Sequence, residues 1–286
     1  MTRKIKITAD STCDLSEELC KRYDIDLASL HIVYGSESYD DRKDIFPEDI
    51  IKRYREKKEL PKTAAVSVWE YTELFKKYVS EGYEVIHISL GSSISSSHQN
   101  SVAAAAEVGN VYSVDSQNLS CGSGLLALKA ASMAQETELS AAGIADKVRE
   151  LVPKSRASFV LDDLEFLNAG GRCSTLAMLG ANLLSIKPCI EVDSTNGAAM
   201  AVGRKYRGKL DKVVAQYTRE KLSQFSKFDP ERAFVVSRDV PQEIVNSTCE
   251  IVESLGVFKE ICTAYASCTI TSHCGPGTIG VMFLTK

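Results

Sequence analysis

Apolar positions along this chain recur with two periods, two and about 3.6, and the switches between them mark the elements. Residues 4–10 (KIKITAD) alternate as a half-buried strand does and end on Asp10-Ser11-Thr12. Asp14 with Glu17 three positions on predicts a capping-box start for a helix over LSEELCKRYD. IDLASLHIVYGSESYDD alternates and turns at Gly35-Ser36, which predicts a hairpin, and PEDIIKRYREKK opens on proline and continues at helical spacing. Pro61-Lys62-Thr63 reads as a loop. VWEYTELFKKYVSEGY then reads as a helix, EVIHISL as a strand, the run Ala103–Ala106 as a helix, NVYSVDS as a strand and LLALKAASMAQ as a helix. Strands alternating with helices predict a parallel, doubly wound α/β/α sheet with its functional loops at the carboxyl ends of the strands.

After AAGIADKVRELVPK the pattern changes, and Pro153-Lys154-Ser155 marks a boundary between an N-terminal domain, residues 1–154, and a C-terminal domain, residues 155–286. In the second, ASFVLDD is a strand, and DLEFLNA and TLAMLGANLLS are helices split by Gly170-Gly171-Arg172. KPCIEVD and AAMAVGR form a hairpin around Ser194-Thr195-Asn196-Gly197. Two further helices and the strands RAFVVSR, KEICTAYA and TIGVMFLT complete a mixed α/β sheet. A ligand is expected in the cleft between the halves.

Length and charge narrow the function. A chain of 286 residues is long enough for two α/β domains. Its net charge of −4 lacks the basic excess that phosphate-backbone binding needs, so a nucleic-acid partner is not expected. The nine cysteines are widely spaced without a C-x-x-C pair, which fits free thiols in a reduced cytosol. The N-terminus enters a strand pattern without the features of a signal peptide, and no window approaches the roughly 18 apolar residues of a spanning helix. A cytoplasmic location is expected.

The densest chemistry lies in Ser92-Ser93-Ile94-Ser95-Ser96-Ser97-His98-Gln99, between the strand EVIHISL and the alanine-rich helix. The first N–H groups of a helix lack intrahelical partners and carry the positive end of its dipole, so hydroxyls placed there form a seat for an anionic oxygen. His273, followed by Gly275-Pro276-Gly277, reads as a histidine aimed by a rigid turn between two strands. Arg172 after paired glycines either presents a permanent cation or caps a helix end. Other motifs carry less. Gly203 to Leu210 matches G-x-x-x-x-G-K but has leucine where a P-loop needs Ser or Thr for magnesium, and reads as a charged, solvated turn. Gly122-Ser123-Gly124 resembles a dinucleotide fingerprint without its acidic strand end, and tight helix packing explains it more simply. Cys262, Cys268, His273 and Cys274 do not have the spacing of a structural zinc site. No G-x-S-x-G elbow accompanies the serines. Neither a metal nor a cofactor is expected.

The order of Asp10-Ser11-Thr12-Cys13-Asp14, Lys62-Thr63, Ile88-Ser89 through Gln99, Gly170-Gly171-Arg172, Lys187-Pro188 and His273 with Gly275-Pro276-Gly277 resembles the DegV family of bacterial fatty-acid-binding proteins, also called FakB, over nearly the whole chain. The resemblance implies a long-chain fatty acid held between the two domains. It also implies a partner, a separate ATP-dependent fatty acid kinase that converts the presented carboxylate to acyl-phosphate for phospholipid synthesis, with transient membrane contact. It assigns Thr63, Ser95 and His273 to the carboxylate, with Ser96, where the family has glycine, contributing its backbone N–H, and Arg172 in a supporting or partner-facing place. The chain departs from the family at Ala64-Ala65-Val66, Ser96-Ser97, Cys173 and Cys274. The expected product is a non-catalytic lipid-binding subunit. Its rivals are a small hydrolase or esterase using Ser95 or Ser96 with His273, and a carrier of another anionic lipid. At about 0.8 kcal/mol per buried CH₂ the tail would supply most of the affinity, and the TLAMLGANLL helix is a candidate for its lining.

Overall fold

A computed structural model describes residues 4–175 and 186–286. Four parallel strands form the first sheet in the order β2-β1-β6-β7, with β1 Ile5–Asp10, β2 Ile25–Ala28, β6 Glu84–Ser89 and β7 Val111–Asp115. A second sheet of six strands runs β10-β9-β8-β13-β11-β12: β8 Ser155–Val160, β9 Lys187–Asp193, β10 Ala199–Tyr206, β11 Phe228–Arg238, β12 Glu260–Tyr265 and β13 Thr278–Thr285. It is mixed, since only β11 and β12 pair in parallel. This is the parallel-then-mixed α/β order that the periodicity predicts.

A third sheet of three strands is antiparallel, in the order β4-β3-β5, with β3 His31–Tyr34, β4 Glu37–Asp40 and β5 Lys62–Ala64. The hairpin at Gly35-Ser36 is therefore present. Lys62 and Thr63, which the sequence reads as loop with Pro61, instead belong to β5, where Thr63 lies opposite Ile32, because a neighbouring strand offers its ladder to a stretch too short to show alternation.

Helix α5, Ser120–Glu136, packs against β1 and β6 of the first sheet and against β8, β11 and β13 of the second. A helix covered on all sides must be apolar or small all round, and Cys121 to Leu128 are all buried. Its glycines serve this packing. A Cβ at Gly124 would stand 2.6 Å from the Cys13 carbonyl oxygen, so the Gly122-Ser123-Gly124 segment is a close-approach surface. One hydrophobic cluster accordingly runs from Ile7 and Ile86 through α5 to Phe234 and Met282.

Helix starts follow local chemistry. Helix α3, Val68–Ser80, opens on a capping box in which Ser67 Oγ accepts from Glu70 N–H and the Glu70 carboxylate accepts from Ser67 N–H. Helix α1, Glu17–Arg22, is capped by Ser16, which accepts from Leu19 N–H, and not by Asp14. Asp14 is buried with φ 52° and bonds elsewhere, as described below. His273 lies in the last turn of helix α10, Cys268–Cys274, and not on a turn between two strands; Gly275 and Gly277, both at positive φ, follow it and lead into β13. Of the TLAMLGANLL segment all but Thr175 lies outside the described residues.

Candidate functional site

The parallel sheet delivers β6 to a turn that begins at Leu90, whose N–H donates to the buried Asp10 carboxylate at 2.7 Å. The turn is then clamped by the opposite half of the chain. Ser93 N–H donates to the Gly197 carbonyl at 2.8 Å, and Ser93 Oγ to the Asn196 carbonyl at 2.9 Å. A Cβ on Gly91 would collide with Ala198, so glycine is required where the two backbones meet. The turn ends at Ser96, which precedes helix α4, Ser97–Val108. Ser95 Oγ accepts from Ser97 N–H at 3.1 Å and lies 3.0 Å from Ser97 Oγ, which satisfies one orphan donor of the helix start.

Facing this turn, β5 carries Thr63 and α10 carries His273, and Thr63 Oγ1 is 2.9 Å from His273 Nε2. Thr63, Ser95, Ser96, His273 and Arg172 all line one cavity of about 330 Å³. The remaining wall is mostly apolar and comes from both halves of the chain, including Leu30, Leu90, Leu119, Phe159, Val236 and Met282. The polar residues singled out in the sequence are thus brought together on a greasy chamber.

Burial, with the Arg172 charge adding to it, pushes His273 down to about 4, so its ring is neutral at physiological pH. A neutral ring carries one N–H. Nδ1 is buried without a partner among the described residues, and an orphaned acceptor costs less than an orphaned donor. The proton is therefore assigned to Nε2, which donates to Thr63 Oγ1 and leaves the threonine hydroxyl hydrogen free for the cavity. Gly170, the last residue of helix α7 (Glu165–Gly170), leaves the space that Nδ1 occupies, since a Cβ there would collide with it. Arg172 does both things its position allows: its guanidinium donates to the Gly170 carbonyl at 2.7 Å, and it stands exposed at the cavity rim.

The family model described as "Uncharacterised protein, DegV family" matches residues 4–286. This chain belongs to the DegV family. A curated relative from Thermotoga maritima, a fatty acid-binding protein, is 32% identical over 291 residues, covering 97% of this chain and 96% of the relative. Among solved structures, a DegV lipid-binding protein from Thermotoga maritima superposes with a TM-score of 0.84 at 28% identity, covering 99% of this chain and 98% of that one. DegV of Bacillus subtilis, a fatty acid-binding protein, does so with a TM-score of 0.84 at 25% identity over 100% of both chains.

Sequence reasoning missed the groups behind this DegV-family cavity. Ser120 lines it at φ 50° and donates its hydroxyl to Asp14. Asp14 also accepts from Ser267 N–H at 2.9 Å, and burial raises its carboxyl to about 6. Asp41, fully buried, accepts from Cys268 N–H at 2.9 Å and Thr269 N–H at 3.2 Å at the start of α10. A capping signature of two aspartates more than 200 residues from their helix has no local periodicity by which to find it. No helix among the described residues is long and apolar enough to cross a membrane.

Proposed function

We propose that this protein binds a long-chain fatty acid in the cavity and presents its carboxylate to a separate ATP-dependent kinase. The observation that carries this reading is the Thr63–His273 pair on the wall of a mostly apolar cavity, beside Ser95 and Ser96. Thr63 and Ser95 hydroxyls and the N–H groups at the start of α4 would hold the carboxylate by charge-assisted hydrogen bonds, which neutral His273 reinforces without a buried ion pair. The tail would lie along the Leu30, Phe159 and Met282 wall, where each CH₂ contributes about 0.8 kcal/mol before ordering costs.

Ser96 and Arg172 are exposed at the rim, and a carboxylate held beside them would keep one oxygen open to a partner. In that partner's site the oxygen would attack the γ-phosphorus of ATP, releasing ADP and forming acyl-phosphate; the kinase supplies ATP and magnesium, and this chain supplies position. The reading divides the chain into residues 1–154 and 155–286 with the ligand between them, and puts the protein in the cytoplasm beside its kinase.

The hydrolase reading is less supported. Nε2 of His273 bonds to Thr63 and not to a serine, and among the described residues no carboxylate reaches Nδ1 to orient the ring as a base. Mass spectrometry of ligand released from purified protein tests the proposal: a recovered fatty acid supports it, and a different anionic lipid or a polar compound replaces it. Kinase partnership is tested by adding a Thr63→Ala, Ser95→Ala double variant to the kinase, where normal acyl-phosphate formation would contradict the assignment.

A further inference from the structure

Helix α10 carries His273 near its C-terminal end and is held at its N-terminal end by Asp41. Seven residues are too few for a helix to be stable by itself, so its placement depends on what grips it. Asp41 Oδ1 accepts from Cys268 N–H and Oδ2 from Thr269 N–H, two of the orphan donors of the first turn, and Ser11 Oγ donates to Oδ2 at 3.1 Å and fixes the carboxyl. The carboxyl is completely buried, so no water competes for these bonds.

Asp41 directly follows β4, and Thr63 lies on β5; both strands pair with β3 in the same small sheet. That sheet therefore touches α10 twice, with Asp41 at the first turn and with Thr63, through His273, at the last. The rise of a helix puts these grips about 8 Å apart along its axis. We propose that Asp41 is a positioning residue for head-group recognition: it fixes the axial setting of α10, and with it the distance between His273 and Thr63 at the carboxylate seat. The residue touches no ligand itself. Loss of its grip would let the helix slide or tilt, and a shift of about 1 Å is enough to spoil a hydrogen-bond constellation.

This inference rests on the fatty-acid reading, and one experiment separates the two. Affinities for palmitate and for hexadecanol, which share a tail and differ in the head group, are measured by competition against a fluorescent fatty acid in the wild type, Asp41→Asn and Ser11→Ala. In Asp41→Asn an amide NH₂ confronts one of the helix N–H groups. Palmitate affinity is expected to fall about tenfold or more and hexadecanol affinity less than threefold, whereas general damage to the fold would lower both alike. Ser11→Ala keeps both helix bonds, frees the carboxyl and also strands Leu30 N–H, which donates to Ser11 Oγ at 3.2 Å. A loss at the Leu30 wall would show with hexadecanol too, so the expected result is a two- to fourfold fall in the preference for palmitate over hexadecanol. Equal losses for both ligands in Asp41→Asn, or an unchanged preference in folded Ser11→Ala, overturn the proposal, the latter even where the Asp41→Asn chain does not fold. A wild-type protein that binds neither ligand overturns the fatty-acid reading instead.

Discussion

Thr63 and His273, 210 positions apart in the chain, meet at 2.9 Å across the rim of the cavity. The pair joins an edge strand of the small sheet to the last turn of α10, and the neutral ring turns the threonine hydroxyl toward the cavity. Thr63→Val keeps the shape and removes the hydroxyl. A hydrogen bond to a charged group is worth about 1.5–3 kcal/mol, so this change should weaken fatty-acid binding about tenfold or more, as measured by fluorescence competition. ¹⁵N NMR of labelled histidine should find the His273 proton on Nε2 at neutral pH.

The pH dependence of stability should show two opposed contributions. Asp14, raised to about 6 by burial against the opposing bonds from Ser120 and Ser267, with Arg42 facing it and Cys13 and Cys121 close by, binds its proton more tightly folded than unfolded. Its contribution to stability therefore falls as pH rises from about 4 to about 6. His273, lowered to about 4 by burial and by Arg172, binds its proton less tightly when folded, so its contribution rises from about 4 to its ordinary value near 6.5. Thermal melts across this range should slope downward with pH more steeply in His273→Gln than in wild type, and upward in Asp14→Asn. Parallel curves for all three proteins would refute the assignment.

The two neighbouring glycines should behave differently. Gly170→Ala drives a methyl into His273 Nδ1 and should cost at least about tenfold in fatty-acid affinity by displacing the ring. Gly171 has φ 64° and open space around it, so Gly171→Ala should cost about 1–2 kcal/mol of stability and change affinity less than about threefold. Equilibrium unfolding and ligand titration of both variants check the contrast.

Filling the wall should shorten the accepted tail. Val236→Phe adds bulk to a buried strand position on the cavity, so affinity for an 18-carbon acid should fall more than for a 12-carbon acid. Each methylene left outside forfeits about 0.8 kcal/mol. An unchanged ratio of the two affinities would mean that the tail does not run past Val236.

Much of this arrangement is legible in the chain, because strands such as Ile5–Asp10 and Glu84–Ser89 place apolar residues at alternate or near-alternate positions and end where turn residues begin, and because the serine turn sits at a helix start. Resemblance points to Thr63 but local pattern does not show its strand, since three residues cannot display a period and their pairing with β3 is a long-range event. The sequence places His273 on a turn between strands, because Gly275-Pro276-Gly277 dominates the local pattern while the cap at the start of the helix Cys268–Cys274 comes from Asp41. Asp14 looks like a local cap for the same reason: its partners, Ser120 and Ser267, belong to distant segments.

The meeting of Gly91 with Gly197 and Ala198 bears on how such chains can be recombined. A chimaera that takes its first half from one relative and its second from another inherits two sides of a backbone seam with no room for a methyl group. Such hybrids should bind ligand only when Gly91 and the Asn196-Gly197-Ala198 corner are transplanted as a matched pair, so substitutions on one side are expected to be tolerated only alongside changes on the other.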